Sequence, residues 1–152
     1  MNLKRAAVLP LLLLACLCVS MTACKQQAPA QSAAKAVIAP SKSAVSIARI
    51  DLGTSVGADL TVGKSIATFV PADTIYAAVT TAGIAPSAKL DVRWLFEDGS
   101  VLKQSSQTLT PTGPTITDFN IANPEGWPAG RYKFEVSIDG VPAGVIEYRV
   151  TP

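Results

Sequence analysis

The chain has 152 residues, with 13 basic and 11 acidic side chains, three cysteines and no histidine. The missing imidazole excludes triads with a histidine base and every His-ligated metal site. One packed domain suits this length, and the near-neutral charge supplies no basic surface for nucleic acid.

Residues 1–23 open with Lys4 and Arg5, followed by an apolar run over residues 6–19 that contains Pro10. Crossing a bilayer takes roughly 20 apolar residues, so this shorter run reads as a secretory leader. The tetrapeptide Met21-Thr22-Ala23-Cys24 resembles the lipobox of bacterial lipoproteins, with Met21 where Leu is commoner. That resemblance implies cleavage before Cys24 and lipidation of its sulfur and new amino terminus with palmitate-class acyl chains. Because Lys25 rather than Asp follows, it also implies anchoring to the outer membrane, facing either the periplasm or the cell surface. Cys16 and Cys18 leave with the leader, so the one remaining thiol is accounted for by the lipid. The mature domain then has no disulfide and must hold by packing.

Residues 24–43 are rich in Ala, Gln, Ser, Lys and Pro and contain no acidic residue. Their few apolar side chains cannot offset the entropy of ordering them, so the stretch is expected to be a flexible tether. Residues 33–39 are too few for a stable isolated helix, and Pro40 would stop one. Removing Lys4 and Arg5 leaves 11 basic against 11 acidic residues, and setting aside Lys25, Lys35 and Lys42 leaves 8 against 11 in the domain.

From residue 44 onward the pattern is that of strands, and residues 44–152 are read as one domain. Residues 44–51 form a first strand. Phe69, Pro71 and Asp73 lead into residues 74–80, where Ile75, Ala77 and Val79 share a face. In residues 88–97, Leu90, Val92, Trp94 and Phe96 alternate with Asp91, Arg93, Leu95 and Glu97. That two-residue period marks a half-buried strand. Asp98-Gly99 makes a turn, and residues 100–107 return as a polar strand at a sheet edge. After a Thr/Pro/Gly loop, residues 115–121 turn Phe119 and Ile121 inward. Tyr132, Phe134, Val136 and Ile138 then alternate with Lys133, Glu135, Ser137 and Asp139. Asp139-Gly140 is a hairpin turn dipeptide, and residues 145–150 return as the partner strand. About seven short strands with close turns and no helical pattern predict an all-β fold, a single antiparallel sandwich or a small barrel.

Gly130-Arg131-Tyr132 resembles the tyrosine corner of immunoglobulin-like and fibronectin type III-like sandwiches, and Trp94 falls where that fold buries a Trp. The resemblance implies a Tyr132 hydroxyl bonded to nearby backbone. It also implies that Phe134, opposite Ala77 or Val79, replaces the disulfide of antibody domains by apolar contact.

Little in the chain points to catalysis. Val62-Gly63-Lys64-Ser65 looks like the end of a phosphate loop, but Ala58 stands where the upstream glycine is required and no helix follows. Glu97, Asp98 and Asp139 lie at turns without calcium-ligand spacing. Trp127, between Gly126 and Pro128, reads as a plug over one end of the sandwich, with a platform for a small molecule or glycan beside Asp98 as the alternative. The sequence therefore predicts an envelope lipoprotein without cofactor, metal or nucleic-acid partner, held to the membrane through Cys24. Its domain is expected to bind a protein, by lending an edge strand, or to serve a structural role; an enzyme using carboxylates alone is the remaining class. The sequence sets no oligomeric state.

Overall fold

A computed structural model describes residues 36–38 and 44–152. The expected leader, the tetrapeptide that resembles a lipobox and Cys24 lie outside the described residues. The rest is an immunoglobulin-like β-sandwich of two sheets. Its strands are β1 (Val37–Ile38), β2 (Val45–Gly53), β3 (Thr68–Phe69), β4 (Ile75–Gly83), β5 (Ala88–Phe96), β6 (Val101–Leu109), β7 (Thr115–Ile121), β8 (Gly130–Ile138) and β9 (Val141–Val150). Seven are long, and β1 and β3 have two residues each. The larger sheet runs β1-β9-β8-β5-β6, with β3 also on β9, and the smaller runs β2-β4-β7. All pairings are antiparallel except β3 with β9.

The alternation read from the sequence sets the inner faces. Leu90, Val92 and Trp94 of β5 are buried beside Tyr132, Phe134, Val136 and Ile138 of β8. Ile75, Ala77 and Val79 face them from β4, with Phe119 and Ile121 from β7. The core is threaded by aromatic rings. Phe134 lies 4.4 Å from Trp94 and 6.4 Å from Phe119, measured between ring centroids. Phe119 is opposite Ala77 in the register, so a small residue on β4 stands beside the ring that crosses to Phe134. Apolar packing thus occupies the place of an inter-sheet disulfide.

Two residues expected at the extremes of burial are intermediate. Phe96, expected inside, is half-buried because it ends β5 and leans on Gly130 and Tyr132 at the margin of the core. Glu135, expected in solvent, is half-buried beneath Arg93, which donates to it at 2.7 Å across the strand pair. Arg93 and Lys133 are exposed as expected.

Two boundaries also differ. The partner strand of the C-terminal hairpin begins at Val141, not at residue 145. Asp139 and Gly140 both take positive φ, 52° and 80°, the geometry of a two-residue type I′ turn. The register then shifts between Val136 and Ser137, which lets the strand carry Pro142 and place Ala143 in the core. At the other end, Val37 and Ile38, inside the expected tether, pair with Val145 and Gly144. Extended backbone laid on an open sheet edge gains hydrogen bonds that an isolated tether lacks, so the folded body recruits residues whose own side chains stay exposed.

Candidate functional site

Of the residues singled out as ligand contacts, Trp127 is buried. Its indole Nε1 donates to the Asp73 carbonyl at 2.8 Å, and its backbone N–H to the Pro71 carbonyl at 2.9 Å. Its ring meets Tyr132 edge-on at 6.1 Å. With its N–H satisfied and its faces packed, the side chain closes the sandwich and presents no platform. Tyr132, also buried, donates its hydroxyl to the Pro128 carbonyl at 2.6 Å, four residues upstream. This is the tyrosine corner. Gly130 lies beside it, where a Cβ would stand 2.8 Å from Phe96 Cε2 and the ring would have to shift. Burial, followed by the negative charge of Glu97, pushes the Tyr132 hydroxyl above the ordinary tyrosine range.

Asp98 lies exposed in the turn between β5 and β6. Its Oδ1 accepts the Ser100 backbone N–H at 2.8 Å while Gly99 supplies the positive φ. The Ser100 side chain and then its backbone hold the carboxyl below its usual range. Asp98 is thus committed to shaping its own turn. Near the corner, residues 71–74 and 122–126 line an open cleft of about 440 Å³. Its walls carry Asp73, Asn123 and Glu125 but no aromatic ring, and neither Trp127 nor Asp98 lines it. Among the described residues the two expected ligand contacts thus have separate settings, Trp127 packed inside and Asp98 exposed in its turn.

The strand edges differ more sharply. On the β9 side, β1 covers Gly144 and Val145 and β3 covers Arg149 and Val150. Arg149 N–H donates to the Ala67 carbonyl and Thr151 N–H to the Phe69 carbonyl, each at 3.0 Å. In the smaller sheet, β2 is interrupted by a register shift between Ile47 and Arg49, and its Leu52 carbonyl accepts the Ile66 N–H at 2.8 Å. Along β7, the Asn120 carbonyl accepts Lys103 Nζ at 2.7 Å, a side chain crossing from β6.

Among the described residues, β6 pairs with β5 alone. Its residues are exposed except for half-buried Ser105 and buried Leu109; Val101 keeps 51% and Leu102 42% of its surface in solvent. The one register shift lies at its start, opposite the step from Trp94 to Leu95. From Gln104 to Leu109 the strand has no proline, glycine or charge. The usual devices that blunt an edge are therefore missing over most of its length. The sequence marked this strand as a polar edge; that the other three edges are interrupted or partly engaged required the topology.

No family model matches the chain, and no curated protein sequence does. Among solved structures, the C-terminal domain of wzt superposes with a TM-score of 0.50 at 9% identity, covering 78% of each chain. The alkylpurine DNA glycosylase AlkC of Pseudomonas fluorescens, bound to DNA containing an abasic site analog, also superposes with a TM-score of 0.50, at 15% identity over 72% of this chain. This chain spans only 31% of that protein's length. A CARDB domain from Pyrococcus furiosus, solved with di-metal ions, gives 0.45 at 14% identity, covering 70% of this chain and 87% of its own. At these identities the likeness concerns the fold. An immunoglobulin-like sandwich is compatible with a non-catalytic binding domain, and fold alone assigns no partner.

Proposed function

We propose that this chain is a lipid-anchored module of the bacterial cell envelope, held at the outer membrane through Cys24, and that its sandwich binds protein rather than catalysing a reaction. The observation that carries this reading is the open β6 edge in a domain whose other strand edges are interrupted or partly engaged. An edge of this kind offers main-chain hydrogen bonds to an extended segment, and alternating side chains give the choice of partner. The anchor reading rests on Met21-Thr22-Ala23-Cys24 and its place after an apolar leader. A small-molecule role has less support, because Trp127 is packed inside and the cleft near it lacks an aromatic wall.

The anchor has a direct test. Each buried methylene contributes about 0.8 kcal/mol, and more than one acyl chain makes membrane association effectively stable. The processed protein should partition into detergent, resist extraction by salt and carbonate, and carry the mass of its lipids. Cys24→Ser removes the accepting thiol, so the variant should lose that mass and retain its leader or be clipped elsewhere. A soluble wild-type protein with an unmodified Cys24 in its mass spectrum would overturn the anchor.

A further inference from the structure

We propose that the β6 edge is a seam between two copies of this chain, in which β6 pairs antiparallel with the β6 of a second copy and the two larger sheets become one. This rests on the reading of the domain as a protein-binding module and names its partner.

Antiparallel pairing of identical strands requires a two-fold axis normal to the sheet, so one residue lies opposite its own copy and the outer faces of both sheets stay on the same side. Such an interface is isologous and closes at two copies. Centring the axis on Ser105 or Ser106 uses the whole uncharged stretch. Centring on Ser105 sets Gln104 opposite Ser106, Lys103 opposite Gln107 and Val101 opposite Leu109. Centring on Ser106 sets Gln104 opposite Thr108 and Lys103 opposite Leu109. Neither arrangement places like charges opposite each other, the arrangement that disfavours cross-strand pairs. Lys103, the one charge on β6, is already drawn inward to the Asn120 carbonyl at 2.7 Å and leaves the seam clear.

The other strand edges do not offer this. β9 is partly covered by β1 and β3, β2 is broken by its register shift, and β7 has Lys103 across one of its carbonyls. The exposed side chains of Val101 and Leu102 give the β6 seam an apolar end at each extremity. A single added strand buries less than the roughly 1,200–2,000 Å² of a typical stable complex. The pairing therefore depends on confinement, and a shared membrane surface would supply it by raising the effective concentration.

The test uses the full chain in intact cells. Residues opposite each other in an antiparallel pair have Cα atoms about 4.5–5.5 Å apart, within disulfide range. Either Ser105→Cys or Ser106→Cys should therefore give a disulfide-linked homodimer on a non-reducing gel. Wild type reports the background from the native cysteines. Val141→Cys, an exposed position at the hairpin turn of β9, should stay at that background. Adding Gln104→Lys with Thr108→Lys to the Ser106→Cys variant, or Gln104→Lys with Ser106→Lys to the Ser105→Cys variant, should reduce the dimer several-fold, because each exposed pair then sets like charges directly opposite each other across the seam. Background levels in both serine variants would overturn the seam. If those variants instead form a mixed disulfide with a different protein, the seam falls and the interaction module stands.

Discussion

On the β9 flank of the larger sheet, two short strands recruited from elsewhere lie over the edge, and at that end the tyrosine corner and Trp127 satisfy their own polar atoms. On the β6 flank, nine residues keep their side chains mostly in water and one backbone edge bare of any partner strand among the described residues. Both flanks belong to the same sheet, so the difference is not one of strand propensity. It lies in whether the rest of the chain supplies covering groups. Closure marks where stability resides, and its absence marks where another polypeptide can add.

The largest effect should separate core from edge. Phe134, fully buried between Trp94 and Phe119, should cost about 3–5 kcal/mol when replaced by Ala. Chemical denaturation measures this, and a loss below about 1 kcal/mol, no more than an ordinary surface change, would break the comparison.

Within the closed flank two stacked tyrosines sharpen it. Tyr132 and Tyr148 lie opposite each other with ring centroids 5.3 Å apart, but among the described residues only Tyr132 has a hydrogen-bond partner for its hydroxyl. Tyr132→Phe should lower stability by roughly 0.5–1.5 kcal/mol, whereas Tyr148→Phe removes a buried unpaired hydroxyl and should be neutral or stabilising. Equal midpoint shifts for the two variants would deny the corner its role. The same pair predicts an alkaline response. Burial pushes the Tyr148 hydroxyl far above the ordinary tyrosine value, so the folded chain holds that proton more tightly than the unfolded chain. Its contribution is complete below about pH 10 and is lost as pH rises beyond it. Tyr148→Phe should flatten that loss, read as the denaturation midpoint against pH.

The smallest effect belongs to the open flank. Gln104→Ala should change the stability of the domain by no more than about 0.5 kcal/mol, because the exposed side chain buries nothing in the fold. A substantially larger loss would mean that β6 is held by contacts the sheet alone does not supply.

Much of the sandwich is legible in the sequence because its inner faces alternate cleanly. Leu90, Val92 and Trp94, and again Tyr132 to Ile138, allow one register each. Legibility fails where tertiary structure overrides local pattern. Pro142 and Gly144 read as loop residues until a register shift fits them into a strand. Val37 and Ile38 have no strand signal in their composition and acquire their pairing from β9. Thr68 and Phe69 form a strand for the same reason. Trp127 was legible as a plug, but its partner, the carbonyl of Asp73, lies 54 residues away in sequence. The β6 edge was legible as polar; its openness is a property of the assembled sheets.

The register of β9 also bears on when the domain can form. The last of the nine described strands to be synthesised is not an outer one: it lies between β8 and the two short strands β1 and β3, which come from the first part of the folded body. Pairings so distant along the chain form late and slowly. A growing chain lacking residues 141–150 has no surface on which β1 or β3 can settle, and Ala143, Ile146, Tyr148 and Val150 are missing from its core. Closure must wait until that segment has emerged.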